Sequence, residues 1–205
     1  FPTRRSSDLK IKNLIRGIKY RTLFLPAVRQ LFTDYKKKSQ EIINSVGAGI
    51  LIAEGEKDII ESDFNCVLKR SILVKNGVDL KNLSIKRASF ERDIDILICG
   101  RIESRKNSLA VARFLAGTSY KATFVGALNN NDKSYANEFL SIINRSDNLS
   151  YLGRVNPDDM PAIYCRSKIH LSASWFEVAS LVDLEAYAYG CHVISSVYGH
   201  TNSYL

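Results

Sequence analysis

The chain has 205 residues, is 45% hydrophobic and 24% charged, and carries a formal net charge of +8, which suits a globular protein of one large or two small domains. No run of about 18 apolar residues occurs, so the sequence offers no membrane-crossing helix. Cys66, Cys99, Cys165 and Cys191 stand far apart with no C-x-x-C or His/Cys cluster. That argues against a disulfide framework or a metal site and for reduced thiols in a cytosolic protein.

In chain order, the first nine residues, FPTRRSSDL, match the translation of a common sequencing-library adapter. They are expected to be an assembly scar, and the abrupt stop at Tyr204-Leu205 is expected to mark a fragment of a longer protein. Lys10, Lys12, Arg16, Lys19 and Arg21 follow with no acid between them, and Lys36, Lys37 and Lys38 come soon after. Such a surface suits nucleic acid, anionic lipid or phosphorylated ligands; the plainer alternative is a solvated helix face.

Residues 24–46 read as a helix, 48–53 as a short buried strand, 54–64 as a helix, and 70–79 as a strand entering an Asn76-Gly77 turn. The polar stretch 81–93 reads as a linker. A stricter rhythm then begins. Strands are expected at 95–100, 121–127, 149–153, 168–174 and 192–196. Helices are expected between them at 105–117, 132–146, 156–167 and 180–190. This alternation predicts βαβ units, a parallel sheet and a doubly wound α/β fold, in which ligands bind beyond the carboxyl ends of the strands. Neither a G-x-G-x-x-G after a strand nor a Walker A loop is present.

Charged groups fall where such a ligand would lie. Gly100-Arg101 ends one strand with Lys106 five residues on, and Gly153-Arg154-Val155 ends another. An Arg fork and a Lys ammonium suit a diphosphate, although a strand–Gly–Arg turn alone is ordinary surface charge. The segment SWFEVASLVDLEAYAYGCHVISS (Ser174 to Ser196) carries Glu177 and Glu185 in an apolar setting, and a buried carboxylate is costly unless paired or hydrogen-bonded. A helix starting near Ser180 offers the N–H groups of Ser180, Leu181 and Val182 to an anion. Its Leu181 and Glu185, four apart, are expected on one face. The helix dipole alone would also account for an early acid. Together these groups describe a nucleotide-sugar site, with cations and N–H groups for phosphates and carboxylates for sugar hydroxyls.

The stretches GRIESRKN, YLGRV, SWFEVASLVDLEAYAYGCHVISS and YGHTNSYL, in that order, resemble the donor-binding domain of retaining family 4 glycosyltransferases of the GT-B fold. ILVKNGVD resembles the end of that family's first domain. The Glu-x7-Glu spacing of Glu177 and Glu185 is the most specific element. The resemblance implies a Rossmann-like doubly wound sheet, with residues 10–80 the last portion of the acceptor domain, 81–93 an interdomain linker, and 94–205 a nearly complete nucleotide-sugar-binding domain. It implies that Arg101 and Lys106, beside Gly100, bind the donor diphosphate, that Glu177 contacts the transferred sugar, and that Glu185 holds the ribose. Arg154 and Val155 would lie near the base, and the N–H groups of Ser180, Leu181 and Val182 would cap the phosphates.

The implied activity is transfer of a hexose, with retention, from a UDP- or GDP-sugar to a glycan or lipid-linked acceptor, with no metal and no further cofactor. The implied location is cytoplasmic, with the basic N-terminal stretch docking on the inner face of the membrane. Two departures stand out: Ser180 where the family usually has glycine, and His200-Thr201-Asn202 where an acid is common. The other readings are a GT-B phosphorylase or sugar-nucleotide epimerase, and a basic α/β nucleic-acid-binding module. The basic stretches lack interleaved aromatics, which speaks against the last.

Overall fold

A computed structural model describes residues 28, 34–79, 90–175, 177 and 180–197. The adapter-like start, the Lys10–Arg21 stretch, most of the expected linker and His200-Thr201-Asn202 lie outside these residues. The chain divides into two compact units. One holds the described residues up to Gly49 with Gly55–Ile72, and the other holds Ile50–Glu54 and the described residues from Leu73 on.

The smaller unit contains helix α1 (Tyr35–Ser45), capped by Asp34, whose carboxylate accepts from the Lys37 N–H at 3.1 Å. Lys36, Lys37 and Lys38 are exposed on it. Helix α2 (Glu56–Phe64) carries Glu56 and Asp58 in its first turn, which suits the positive end of its dipole. The Gln40 amide donates to Asn65 O at 2.8 Å, tying α1 to the end of α2. Strands β1 (Gly49–Leu51) and β2 (Ser71–Leu73) are each three residues long. The strand expected over 70–79 is therefore much shorter. Val74–Asp79, with the Asn76-Gly77 turn signal inside it, has no regular structure.

The larger unit is built on β3 (Ile94–Cys99), β4 (Ala122–Val125), β5 (Leu149–Tyr151), β6 (Ser167–Ser172) and β7 (His192–Ser195). They form one sheet in the order β5-β4-β3-β6-β7, and every pairing is parallel. Leu97 sits opposite Thr123 on one side and His170 on the other, which fixes the register at the centre. The connecting helices are α3 (Ser108–Ala116), α4 (Lys133–Ile143), α5 (Met160–Arg166) and α6 (Leu181–Ala188).

Side chains alternate across β3, so the sheet has a core on each face. Ile98 packs on one face with Leu109, Ala112 and Leu115 of α3 and Phe139 of α4. The Phe139 ring meets Phe124 and Tyr151 edge to face, with centroids 5.1 and 5.4 Å away. Leu97 packs on the other face with Ile163 and Tyr164 of α5 and Ala186 of α6. The chain runs from β3 outward to β5, then crosses to β6 on the far side of β3. This makes the β3/β6 junction the switch point of a doubly wound sheet, where such folds bind their ligands.

Two ion pairs at the start of the sheet make stability depend on pH. Arg166 donates to both Asp93 oxygens at 2.8 and 2.5 Å, and Lys168 reaches Asp95 at 2.7 Å. These hydrogen bonds hold the Asp93 and Asp95 carboxyls below the usual carboxylate range. A depressed folded-state pKa gives stability that is present above the unfolded value of about 4 and lost as pH falls through the folded value. Both pairs are partly exposed, which limits each to about 0.2–1 kcal/mol. Melting temperatures of wild type and D93N/D95N should differ at neutral pH, and the gap should close below about pH 4.

Candidate functional site

β3 and β4 each run directly into a glycine with positive φ, Gly100 at 147° and Gly126 at 142°, and β5 is followed two residues on by Gly153 at 69°. Gly100 donates its N–H to Val125 O at 2.9 Å, and Gly126 donates to Gly153 O at 2.8 Å. The Tyr151 hydroxyl donates to Gly126 O at 2.7 Å. The result is a bare backbone shelf. A Cβ on Gly126 would stand 2.0 Å from Gly100 O, so the approach of the two strand ends demands glycine there.

A cleft of about 420 Å³ opens over this shelf. Gly100 and Gly126 form its floor, Arg154 and Val155 one wall, and Val182 and Glu185 of α6 another. Such a size and such a place, at the strand ends, fit a small-molecule site.

The loop after β3 makes a 3-10 turn (Ser104–Lys106), and Asn107 at φ 58° swings it into α3. This folds the Lys106 stem over Gly100, where its nearest carbons lie 3.4 Å from the position of a Cβ. The Trp175 N–H donates to Arg105 O at 2.9 Å, which ties the loop after β6 to the loop after β3. Glu177 is thereby delivered to Lys106 and Arg105. One oxygen, Oε2, accepts from Lys106 Nζ and from the Arg105 guanidinium, the latter at 3.1 Å. The Lys106 and Glu177 side chains are only 13% and 19% exposed. Glu103 holds Arg105 from behind, Oε1 to Nε at 3.2 Å, and its other oxygen lies 3.7 Å from Arg101. Arg101 itself is 64% exposed.

Helix α6 brings the second acid. Ser180 is buried and caps the helix, its Oγ accepting from the Asp183 N–H at 3.3 Å. Ser180 is thus the α6 N-cap, a position serine favours. Asp183 and His170 are fully buried and paired, Oδ1 to Nε2 at 3.0 Å, which pins the first turn of α6 to β6. Glu185 accepts from the Tyr164 hydroxyl at 2.8 Å. Burial, reinforced by Cys99 and Glu185 nearby, pushes the Tyr164 hydroxyl far above its ordinary pKa, so it keeps its proton and donates. Burial pushes the Cys99 thiol up as well. Tyr164 stacks on Tyr189, with centroids 5.7 Å apart and planes 8° apart.

The structure therefore brings Lys106 to Glu177, and places Gly100, Arg154, Val155, Val182 and Glu185 around one cleft. Arg101, Lys106 and Glu177 are not among the residues that line it, and Arg101 is exposed beside Glu103. Val182 and Glu185 of α6 and its C-cap Tyr189 line the cleft, while Leu181, four residues before Glu185, is 48% exposed and outside the lining. Leu181 was expected to act through its backbone, and it does head α6. Phe176, Val178 and Ala179 lie outside the described residues.

Sequence reasoning missed four contributors. Gly126 carried a signal, a glycine ending an apolar strand just as Gly100 does. Glu103 and Arg105 stood in view inside GRIESRKN, but nothing in their spacing tells which cation meets Glu177. Tyr164 looked like an ordinary apolar helix residue. Among the described residues no cluster of three or more His, Cys, Asp or Glu could hold a metal ion, and no helix is long and apolar enough to cross a membrane.

Comparison with known proteins places this architecture. The family model described as glycosyl transferases group 1 matches residues 80–205. No curated protein sequence matches the chain. Among solved structures, the chain is similar to sucrose-phosphate synthase from Thermosynechococcus elongatus, with 18% identity over 80% of this chain and 44% of that one at a TM-score of 0.64. It is similar to Anabaena HepE in complex with UDP and glucose, with 15% identity over 82% and 50% at 0.61. It is also similar to a glycosyltransferase from Rickettsia africae, with 16% identity over 82% and 49% at 0.64. At these identities the likeness is one of fold, and the fold is the Rossmann-like α/β domain of the GT-B type. The chain spans about half the length of these neighbours.

Proposed function

Since the chain belongs to the glycosyl transferases group 1 family, we propose that it carries the donor site of a retaining, family 4 hexosyltransferase that moves a sugar from a nucleotide sugar to a glycan or lipid-linked acceptor. The observation that supports this reading is a cleft at the strand ends lined by Gly100, Gly126 and Glu185, with Lys106 folded over the same Gly100 and paired with Glu177. HepE, which shares the fold, is seen with UDP and glucose.

In this reading the diphosphate lies over Gly100 and Gly126, near Lys106 and the start of α6, where cation and helix dipole favour negative charge. Arg101 reaches in from the rim. Glu185, oriented by the Tyr164 hydroxyl, accepts hydrogen bonds from the ribose. Arg154 and Val155 flank the base, and Glu177 accepts from hydroxyls of the sugar. The bond from the sugar anomeric carbon to the diphosphate oxygen breaks, and a bond from that carbon to the acceptor oxygen forms on the same face. The acceptor proton passes to the leaving diphosphate. Lys106 stabilises the charge that develops there, and no metal is assigned to the reaction.

The test is a thermal-shift panel with UDP, GDP, ADP and their sugars, since a ligand of the folded state raises the melting temperature by mass action. One nucleotide should raise it, and Glu185→Ala should weaken that ligand by about 10-fold or more through loss of charge-assisted hydrogen bonds. No shift with any nucleotide in well-folded protein would overturn the reading.

A further inference from the structure

We infer that Glu177 is a built-in competitor for the diphosphate cations, and that this makes the site discriminate a nucleotide sugar from the bare nucleoside diphosphate left after transfer. The inference rests on the donor-site reading above. What carries it is the geometry of one atom. Glu177 Oε2 accepts from both Lys106 Nζ and Arg105 Nη1, which are the donors a phosphate oxygen at this strand end would use. The Lys106 and Glu177 side chains are mostly buried, so their attraction is screened less than that of a surface pair.

A diphosphate approaching Lys106 and Arg105 must displace that carboxylate or lie against its negative charge, and either lowers its affinity. A sugar attached to the diphosphate changes the balance. Its hydroxyls offer Glu177 new donors, so the carboxylate can leave the cations and remain hydrogen-bonded. When the sugar departs, those donors depart with it, and Glu177 returns to Lys106 and Arg105, favouring release of the product. Arg105 is on this account a further diphosphate-binding residue. Glu103, fixed to its Nε at 3.2 Å, is the positioning group that aims Nη1 toward Glu177.

The test is titration calorimetry on the full chain with UDP against UDP-glucose and GDP against GDP-mannose, comparing wild type, Glu177→Gln and Glu177→Ala. Glutamine keeps the shape and removes the charge, and each variant's own melting curve reports its folding. Both variants should bind the bare diphosphate about 3- to 10-fold more tightly than wild type and should not gain affinity for the sugar form. Unchanged or weaker binding of the bare diphosphate by folded variants, with wild type binding normally, would overturn this inference and leave the donor site standing. Absence of binding by wild type to all four ligands would remove the donor site and this inference together.

Discussion

Gly126→Ala will destabilise the parallel-sheet unit by about 2–6 kcal/mol, the sum of backbone strain and overpacking. This is a large fraction of the total stability of a typical domain. The added Cβ would meet Gly100 O at 2.0 Å and Gly100 C at 2.6 Å, with φ at +142°. Backbone cannot swing aside as the end of a side chain can, so β3 and β4 must part at their carboxyl ends. Gly100 lies under the Lys106 stem, so the displacement reaches the proposed donor site as well. Gly153→Ala supplies the contrast: its φ is +69° but nothing lies within 4 Å, so it should cost about 1–2 kcal/mol, the strain of the left-handed backbone alone. Gly47→Ala, with open space and no strained φ, should be close to neutral. Urea unfolding of the three variants measures this order. A Gly126→Ala midpoint equal to that of Gly153→Ala would show that the strand ends are not held as close as described.

Lys106→Ala will weaken nucleotide-sugar binding by about 10- to 100-fold, the worth of charge-assisted hydrogen bonds to phosphate. Its effect on stability should be small, because Glu177 keeps Arg105 at 3.1 Å and some access to water. Arg101→Ala should cost less binding, since Arg101 is 64% exposed and its nearest carboxylate contact is 3.7 Å. Calorimetric affinity with melting curves for both variants separates binding from folding. Equal losses for Lys106→Ala and Arg101→Ala would return Arg101 to the equal role that its place in the motif suggested.

That ranking shows where local pattern stops and tertiary structure begins. Alternating apolar strands and helices from Ile94 onward, punctuated by Gly100, Gly117, Gly126 and Gly190, are local signals. They placed the parallel fold and nearly every element of the larger unit. The Glu-x7-Glu spacing likewise made Glu177 and Glu185 site candidates before any geometry. Short strands were harder to delimit. Apolar content over 70–79 resembles a strand, but β2 ends at Leu73, because strand length depends on a neighbour to pair with.

Contacts across the fold decided the rest. Glu177 is 71 residues from Lys106 and 72 from Arg105; only the parallel register of β3 with β6 and the Trp175–Arg105 backbone tie set them side by side. Tyr164 reaches Glu185 because α5 and α6 cover the same face of the sheet. The need for glycine at Gly126 comes from Gly100 on another strand. By itself, then, the sequence determined the parallel α/β fold and put forward the candidate site residues, because periodicity and spacing act within a few residues. Only the tertiary structure decided which cation meets which carboxylate, because those partners are joined by strand order and not by nearness along the chain.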